Sequence, residues 1–127
     1  MHCPKSSFYI VSIRNSKAEK GRCRNMPRTL TVGILQMPVS RDVEENLAQI
    51  QEGIKRLSRR NPKPELIIGV EGGIGYGARE TIPGGMSQRL GELAQTYSIY
   101  LVPGTMFEQS EDCPDGMYYN AAPIFAH

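Results

Sequence analysis

Glu71 is the side chain in this 127-residue sequence whose position most favours catalysis. It directly follows residues 66–70, an apolar run that is typical of a buried strand. In open parallel sheets, ligand sites lie beyond the carboxyl ends of the strands. Burial there would disfavour the charged form of the carboxylate and suit it to act as a general base. The alternative is that Glu71 lies exposed on the loop that follows the strand.

A glycine-rich segment comes directly after this glutamate. Residues 73–78 fit the G-x-G-x-x-G/A pattern of dinucleotide-binding loops. That pattern needs a helix to begin at once, whereas the breaker sequence 83–85, Pro-Gly-Gly, follows shortly afterwards. The next strand also ends without an acidic residue that could hold a ribose. We therefore predict a loop that shapes the mouth of a pocket rather than a nucleotide site.

The cysteines and histidines offer little nucleophilic or metal chemistry. Three cysteines lie far apart and show neither metal-ligand spacing nor a redox pair. Cys113 follows Asp112 in an acidic loop, where negative charge disfavours a thiolate. The histidines, His2 and His127, lie near the chain ends. Reduced thiols and a cytoplasmic location are the simplest expectation.

The charge is distributed unevenly along the chain. The net charge is +2, yet residues 1–28 hold seven of the fifteen basic residues and one acid, Glu19. This segment is predicted to be a disordered or extraneous leader, with Met26 as a natural start. A basic arm that binds nucleic acid or a membrane surface is the less favoured interpretation. The domain is therefore expected to span 29–127.

Hydrophobic periodicity predicts an α/β fold in the order β-α-β-α-β-β. Asp42 and Glu45 form a potential capping box at the start of the first helix. The basic residues near the end of that helix, 55–60, are interpreted as a solvated helix end rather than an anion site. Apolar strands without alternation indicate a largely parallel sheet that is covered on both faces. The expected elements are strands 30–35, 66–70 and 99–102, helices 42–57 and 87–97, and a hairpin of 106–108 with 118–125.

Four motifs in this order resemble the nitrilase superfamily of carbon-nitrogen hydrolases. Residues 31–38 with Asn46-Leu47 look like the opening of that family. The segment 66–71 with Gly75-Tyr76 is similar to its second strand, its catalytic glutamate and the Gly-Tyr that follows. The remaining two motifs are 102–105 with Glu108, and 119–122 with Phe125.

The resemblance implies a Glu-Lys-Cys triad within a four-layer α-β-β-α sandwich, which is often paired into dimers. By resemblance, Glu71 is the general base, Glu108 supports the position of the lysine, and Asn120 has a structural role. The lysine and cysteine of the family come after the fourth strand, so this sequence is expected to be the N-terminal portion of the enzyme. One departure from the family is Gly69-Val70, where a Phe-Pro pair is usual.

The resemblance implies hydrolysis of an amide, carbamoyl or nitrile substrate, with no metal or organic cofactor. The expected partners are a small-molecule substrate and further copies of the chain, and neither nucleic acid nor membrane. The alternative is a catalytically inactive fragment that acts as a binding or self-association module, because one acid without its nucleophile cannot perform acyl transfer.

Overall fold

The computed structural model describes residues 7–14 and 29–127. These residues form a small mixed α/β fold with two helices and two sheets. In chain order, the elements are β1 (Ser7–Arg14), β2 (Thr29–Gln36), α1 (Val43–Leu57), β3 (Leu66–Ile68), β4 (Arg79–Glu80), α2 (Gly85–Tyr97), β5 (Tyr100–Val102), β6 (Met106–Glu108) and β7 (Tyr119–Ala121).

The larger sheet has the strand order β1-β2-β3-β5. The strands β2, β3 and β5 are parallel, as the alternation of strands and helices predicts. Residues 99–102 were expected to be the third strand, and β5 begins one residue later. Beyond it, the backbone of Leu101 exchanges two hydrogen bonds of 2.9 Å with Phe125, so the C-terminal segment pairs with the edge of β5.

The leader differs from the sequence-based expectation in one part. Ser7–Arg14 pairs antiparallel with β2 along its whole length. The sequence pattern did not predict this strand, because antiparallel pairing is stabilised by backbone hydrogen bonds to a distant segment rather than by a local apolar period. The other residues of the leader lie outside the described part of the chain.

Helix α1 begins where the sequence predicts. The Asp42 carboxylate accepts hydrogen bonds from the backbone N–H groups of Glu44 and Glu45, at 2.9 and 3.4 Å. The reciprocal half of the capping box is absent, because the Asp42 N–H donates to the hydroxyl of Ser40 instead. The apolar face of the helix is buried as expected, at Leu47, Ile50, Ile54 and Leu57.

Both helices cover the same face of the larger sheet. Their buried side chains form one core cluster with Ile67 and Leu101, which are register neighbours on β3 and β5. Coverage of both faces was expected, whereas the two helices of the described residues cover one face. Successive right-handed crossovers that add strands in one direction leave all their helices on one side of the sheet.

The opposite side of this sheet is also apolar, and we call it the open face. Ile68 is 36% exposed and Tyr100 is 47% exposed, and both lie outside the core cluster. The pairing register and the alternation along the strands assign seven apolar side chains to the open face, of which Val32 is buried: Leu30, Val32, Ile34, Leu66, Ile68, Tyr100 and Val102.

The smaller sheet has the order β4-β6-β7. Strands β6 and β7 form the antiparallel pair that the sequence predicts for 106–108 and the segment after it. Strand β7 is shorter than the predicted 118–125. In the described part of the chain, neither helix is long and apolar enough to cross a membrane.

Candidate active site

The end of β3 determines where Glu71 lies. This strand ends at Ile68 rather than Val70, so Glu71 belongs to the turn that follows. Its side chain is exposed, and the expected burial of the carboxylate is wrong. The alternative interpretation, an exposed glutamate on the loop after the strand, is the observed one.

Asn46 of α1 fixes the glycine-rich turn, 71–78, to the rest of the domain. The Asn46 side chain is fully buried, and its amide nitrogen donates to the carbonyl oxygens of Ser40 and Ile74, at 2.9 and 3.3 Å. Its amide oxygen accepts a 2.8 Å hydrogen bond from the Ser40 N–H. Gly75, with φ of +123°, passes so close that a Cβ there would lie 2.8 Å from the Asn46 amide nitrogen. A side chain at position 75 would therefore displace the group that holds the turn.

A second close approach joins this turn to the segment that follows β5. Gly104 has φ of +128°, and a Cβ at this position would lie 2.3 Å from the carbonyl oxygen of Val70. Next to it, the hydroxyl of Thr105 accepts a 2.8 Å hydrogen bond from the Gly72 N–H. The backbone after β3 and the backbone after β5 are thus held against each other beside Glu71.

A small cleft of about 50 Å³ lies between this turn and the smaller sheet. It brings together Glu71, Thr105 and Asn120, which come from three separate motifs of the sequence. Tyr76, which is 70% exposed, forms part of the rim, and Phe107 contributes an aromatic wall. The cleft therefore combines an exposed carboxylate with an amide, a hydroxyl and two aromatic rings.

Glu108 does not line this cleft. On β6, neighbouring residues point to opposite faces, so Glu108 lies on the face opposite to Phe107. Its register neighbour on β4 is Glu80. The structure brings Glu71 and Asn120 together at the cleft, whereas Glu108 is half-buried and does not line it.

Glu80 is a residue that the sequence analysis did not single out. Its two carboxylate oxygens accept hydrogen bonds from the backbone N–H groups of Met86 and Ser87, at 2.8 and 2.6 Å. These N–H groups belong to the first turn of α2, where a carboxylate also interacts favourably with the helix dipole. The helix N-cap is Gly84, which has no side chain that could accept these hydrogen bonds. A helix start without a capping side chain was the feature of the sequence that could have prompted a search for another acceptor.

The structure also locates the dinucleotide-like pattern at 73–78 and Cys113. The dinucleotide pattern at 73–78 leads into strand β4 rather than a helix, so the required context for a nucleotide site is missing. Cys113 lies half-buried in a loop whose cavity is separate from the cleft of Glu71. It is not a member of the candidate site.

Comparisons with known proteins do not assign the chain to a family. No protein-family model matches the sequence, and a search of curated proteins found no significant match either.

Proposed function

We propose that this chain forms the glutamate-bearing part of a carbon-nitrogen hydrolase of the nitrilase type. The substrate class is a small amide, carbamoyl compound or nitrile, and the proposed location is the cytoplasm. Glu71 is the proposed general base of a Glu-Lys-Cys triad. Glu108 is a supporting residue that acts from the other face of the smaller sheet.

The convergence of three motifs on one cleft is the observation that carries this proposal. Glu71, Thr105 and Asn120 are far apart in sequence, yet all three line the cleft beyond the carboxyl ends of β3 and β5. This is the edge where parallel sheets place their ligand sites. The hydrogen bond from the Gly72 N–H to Thr105 holds two of these motifs in contact.

The open face of the larger sheet supports the four-layer arrangement within the proposal. An α-β-β-α sandwich requires each sheet to have helices on one side and apolar side chains on the other. The larger sheet has this distribution, with the core cluster on the helix side and residues such as Ile68 and Tyr100 on the open face.

The proposed chemistry assigns proton transfer to Glu71. A cysteine thiol transfers its proton to the Glu71 carboxylate and attacks the carbonyl carbon of an amide or carbamoyl substrate, and a lysine ammonium stabilises the resulting tetrahedral oxyanion. The intermediate expels ammonia or an amine, which takes the proton from Glu71, and water then hydrolyses the thioester. Within the described residues, neither a lysine nor a cysteine lines the cleft. The proposal therefore assigns both groups to polypeptide outside the described residues.

The test is ammonia release from a panel of short amides and nitriles by the protein expressed from its complete coding sequence. Glu71→Gln removes the base and should abolish detectable release, whereas Glu108→Gln should reduce it to a smaller extent. Glu65→Gln is the matched control, since Glu65 is exposed just before β3 and does not line the cleft. Full activity in Glu71→Gln, or no hydrolysis of any compound by the unmodified protein, would contradict the proposal.

A second candidate function is self-association without catalysis, and the open face favours it. Exposed apolar side chains on a sheet are a typical surface for pairing with a second copy of the same chain. Sedimentation velocity of the unmodified chain and of Ile68→Lys distinguishes the two functions. Self-association predicts a concentration-dependent oligomer that Ile68→Lys disrupts, and a monomer at all concentrations would rule it out.

A further inference from the structure

One cationic side chain lies in the same cross-strand row as two walls of the cleft. The pairing register of the smaller sheet aligns Arg79 of β4 with Phe107 of β6, and Phe107 with Asn120 of β7. Register neighbours on adjacent strands point to the same face of a sheet. Phe107 and Asn120 both line the cleft, so Arg79 lies at the next position outward along the same face.

Aromatic contacts hold the Arg79 guanidinium in place. Its Nη1 atom donates a 3.0 Å hydrogen bond to the hydroxyl of Tyr118. Its central carbon lies 4.3 Å from the ring centroid of Tyr118 and 6.0 Å from that of Phe107. The two ring centroids are 6.1 Å apart, so the cation lies beside an aromatic pair. Such contacts orient a guanidinium without neutralising its charge.

Two arginines on the helices, Arg56 and Arg89, are paired with acids. The Nη1 atom of Arg89 contacts both carboxylate oxygens of Glu44, at 2.8 and 2.9 Å, and Arg56 lies 3.3 Å from Glu52. Among the residues that the structure describes, no carboxylate forms an ion pair with Arg79. Arg79 therefore combines a fixed orientation with an unneutralised charge beside the cleft.

We propose that Arg79 is a specificity-determining residue that binds an anionic group, preferably a carboxylate, on the substrate. This inference rests on the proposed hydrolase function and specifies its substrate class. The planar guanidinium can donate two parallel hydrogen bonds to a carboxylate. The row from Arg79 to Asn120 spans two strand spacings, about 10 Å. The favoured substrate is thus a monoamide of a short dicarboxylic acid, with its amide carbon towards Glu71 and its carboxylate at Arg79.

The experiment compares matched pairs of monoamides and diamides, succinamate with succinamide and glutaramate with glutaramide. Binding to the full chain is measured by nuclear magnetic resonance titration, and hydrolysis is measured with the protein from the complete coding sequence. We expect the unmodified chain to bind the anionic member of a pair about five- to tenfold more tightly. Arg79→Gln should remove this preference and Arg79→Lys should restore part of it. Arg59→Gln is the control, because Arg59 is exposed beyond the end of α1 and does not line the cleft.

Tyr118→Phe provides a second, milder variant. It keeps the aromatic ring and removes the hydroxyl that orients the guanidinium, so the anionic preference should fall by about twofold. Equal binding of both members of every pair, or a preference that survives in Arg79→Gln, would overturn the inference. The hydrolysis assay and the binding titration distinguish a failure of the proposed function from a failure of this inference. If no amide is hydrolysed, the hydrolase proposal fails, and Arg79-dependent anion binding is still decided by the titration.

Discussion

Glu71 and Glu80 lie at the two ends of one glycine-rich segment, and their carboxylates have opposite surroundings. The Glu80 carboxylate accepts two backbone hydrogen bonds from the first turn of α2. Among the described residues, no group donates a hydrogen bond to the Glu71 carboxylate, which lies exposed at the cleft. The comparison separates two roles for a carboxylate, since one with its oxygens occupied stabilises the fold and one with free oxygens can accept a proton.

The two regions also differ in what positions them. The Glu71 turn depends on long-range supports, the Asn46 amide and the close approach of Gly104. The Glu80 region depends on contacts within residues 80–87, including the Ser87 hydroxyl that accepts a 2.7 Å hydrogen bond from the Gly84 N–H. Variants of these supports should therefore separate effects on the cleft from effects on α2.

Gly104→Ala should cause the largest loss of stability. The new Cβ would meet the Val70 carbonyl oxygen at a backbone angle that alanine adopts only with strain. We expect the free energy of unfolding to fall by about 3 kcal/mol or more, measured by urea denaturation. Gly85→Ala is the matched control. No atom lies within 4 Å of a Cβ at position 85 in the first turn of α2, so this variant should be neutral or slightly stabilising. Equal losses of stability at positions 104 and 85 would contradict the close contact between Gly104 and the Val70 carbonyl group.

Asn46→Ala should have the next largest effect. It leaves the Ser40 N–H, the Ser40 carbonyl and the buried Ile74 carbonyl without their partner, which we expect to cost about 2 kcal/mol. Hydrogen exchange should accelerate at residues 72–78 before it accelerates in α2. Gln51→Ala, at an exposed position of the same helix, is the control. Uniform acceleration across the whole domain would show that Asn46 is not a specific support of the Glu71 turn.

Glu80→Ala should have a smaller effect that is confined to the other region. Loss of the two hydrogen bonds to the start of α2 should lower the free energy of unfolding by about 1 kcal/mol. Exchange should accelerate at 85–88, while the protection of 72–78 is unchanged. Glu92→Ala, at an exposed position of α2, serves as the control. If hydrogen exchange also accelerated at 72–78, the Glu71 turn and the Glu80 region would not be supported independently.

The sequence predicts best what depends on local pattern. The α1 boundary at Asp42 follows from a single capping residue before an apolar face of regular period, and the pairing of 106–108 with the following strand follows from turn residues. The exposure of Glu71 could not be predicted from the local sequence pattern. It depends on β3 ending at Ile68, and contacts with the backbone after β5 determine where this strand ends.

Contacts between distant segments account for the other misses. Glu80 is the exception, because its partners are only six and seven residues away, yet that separation is longer than the two or three residues that capping rules cover. The row of Arg79, Phe107 and Asn120 depends on the register of three strands that are each two or three residues long. Such short strands carry too little periodicity for the register to be read from the sequence.

The assignment of Glu71 as the general base is tested most directly by comparing amide hydrolysis in Glu71→Gln and Glu80→Gln. In the protein from the complete coding sequence, Glu71→Gln should lower kcat/KM for its best amide at least about a hundredfold, since it removes a general base. Its free energy of unfolding should stay within about 0.5 kcal/mol of the original value, as expected for an exposed side chain. Glu80→Gln should show the reverse, with reduced stability and an unchanged kcat/KM per folded molecule. A Glu71→Gln protein that retains normal kcat/KM would contradict the assignment of Glu71 as the general base.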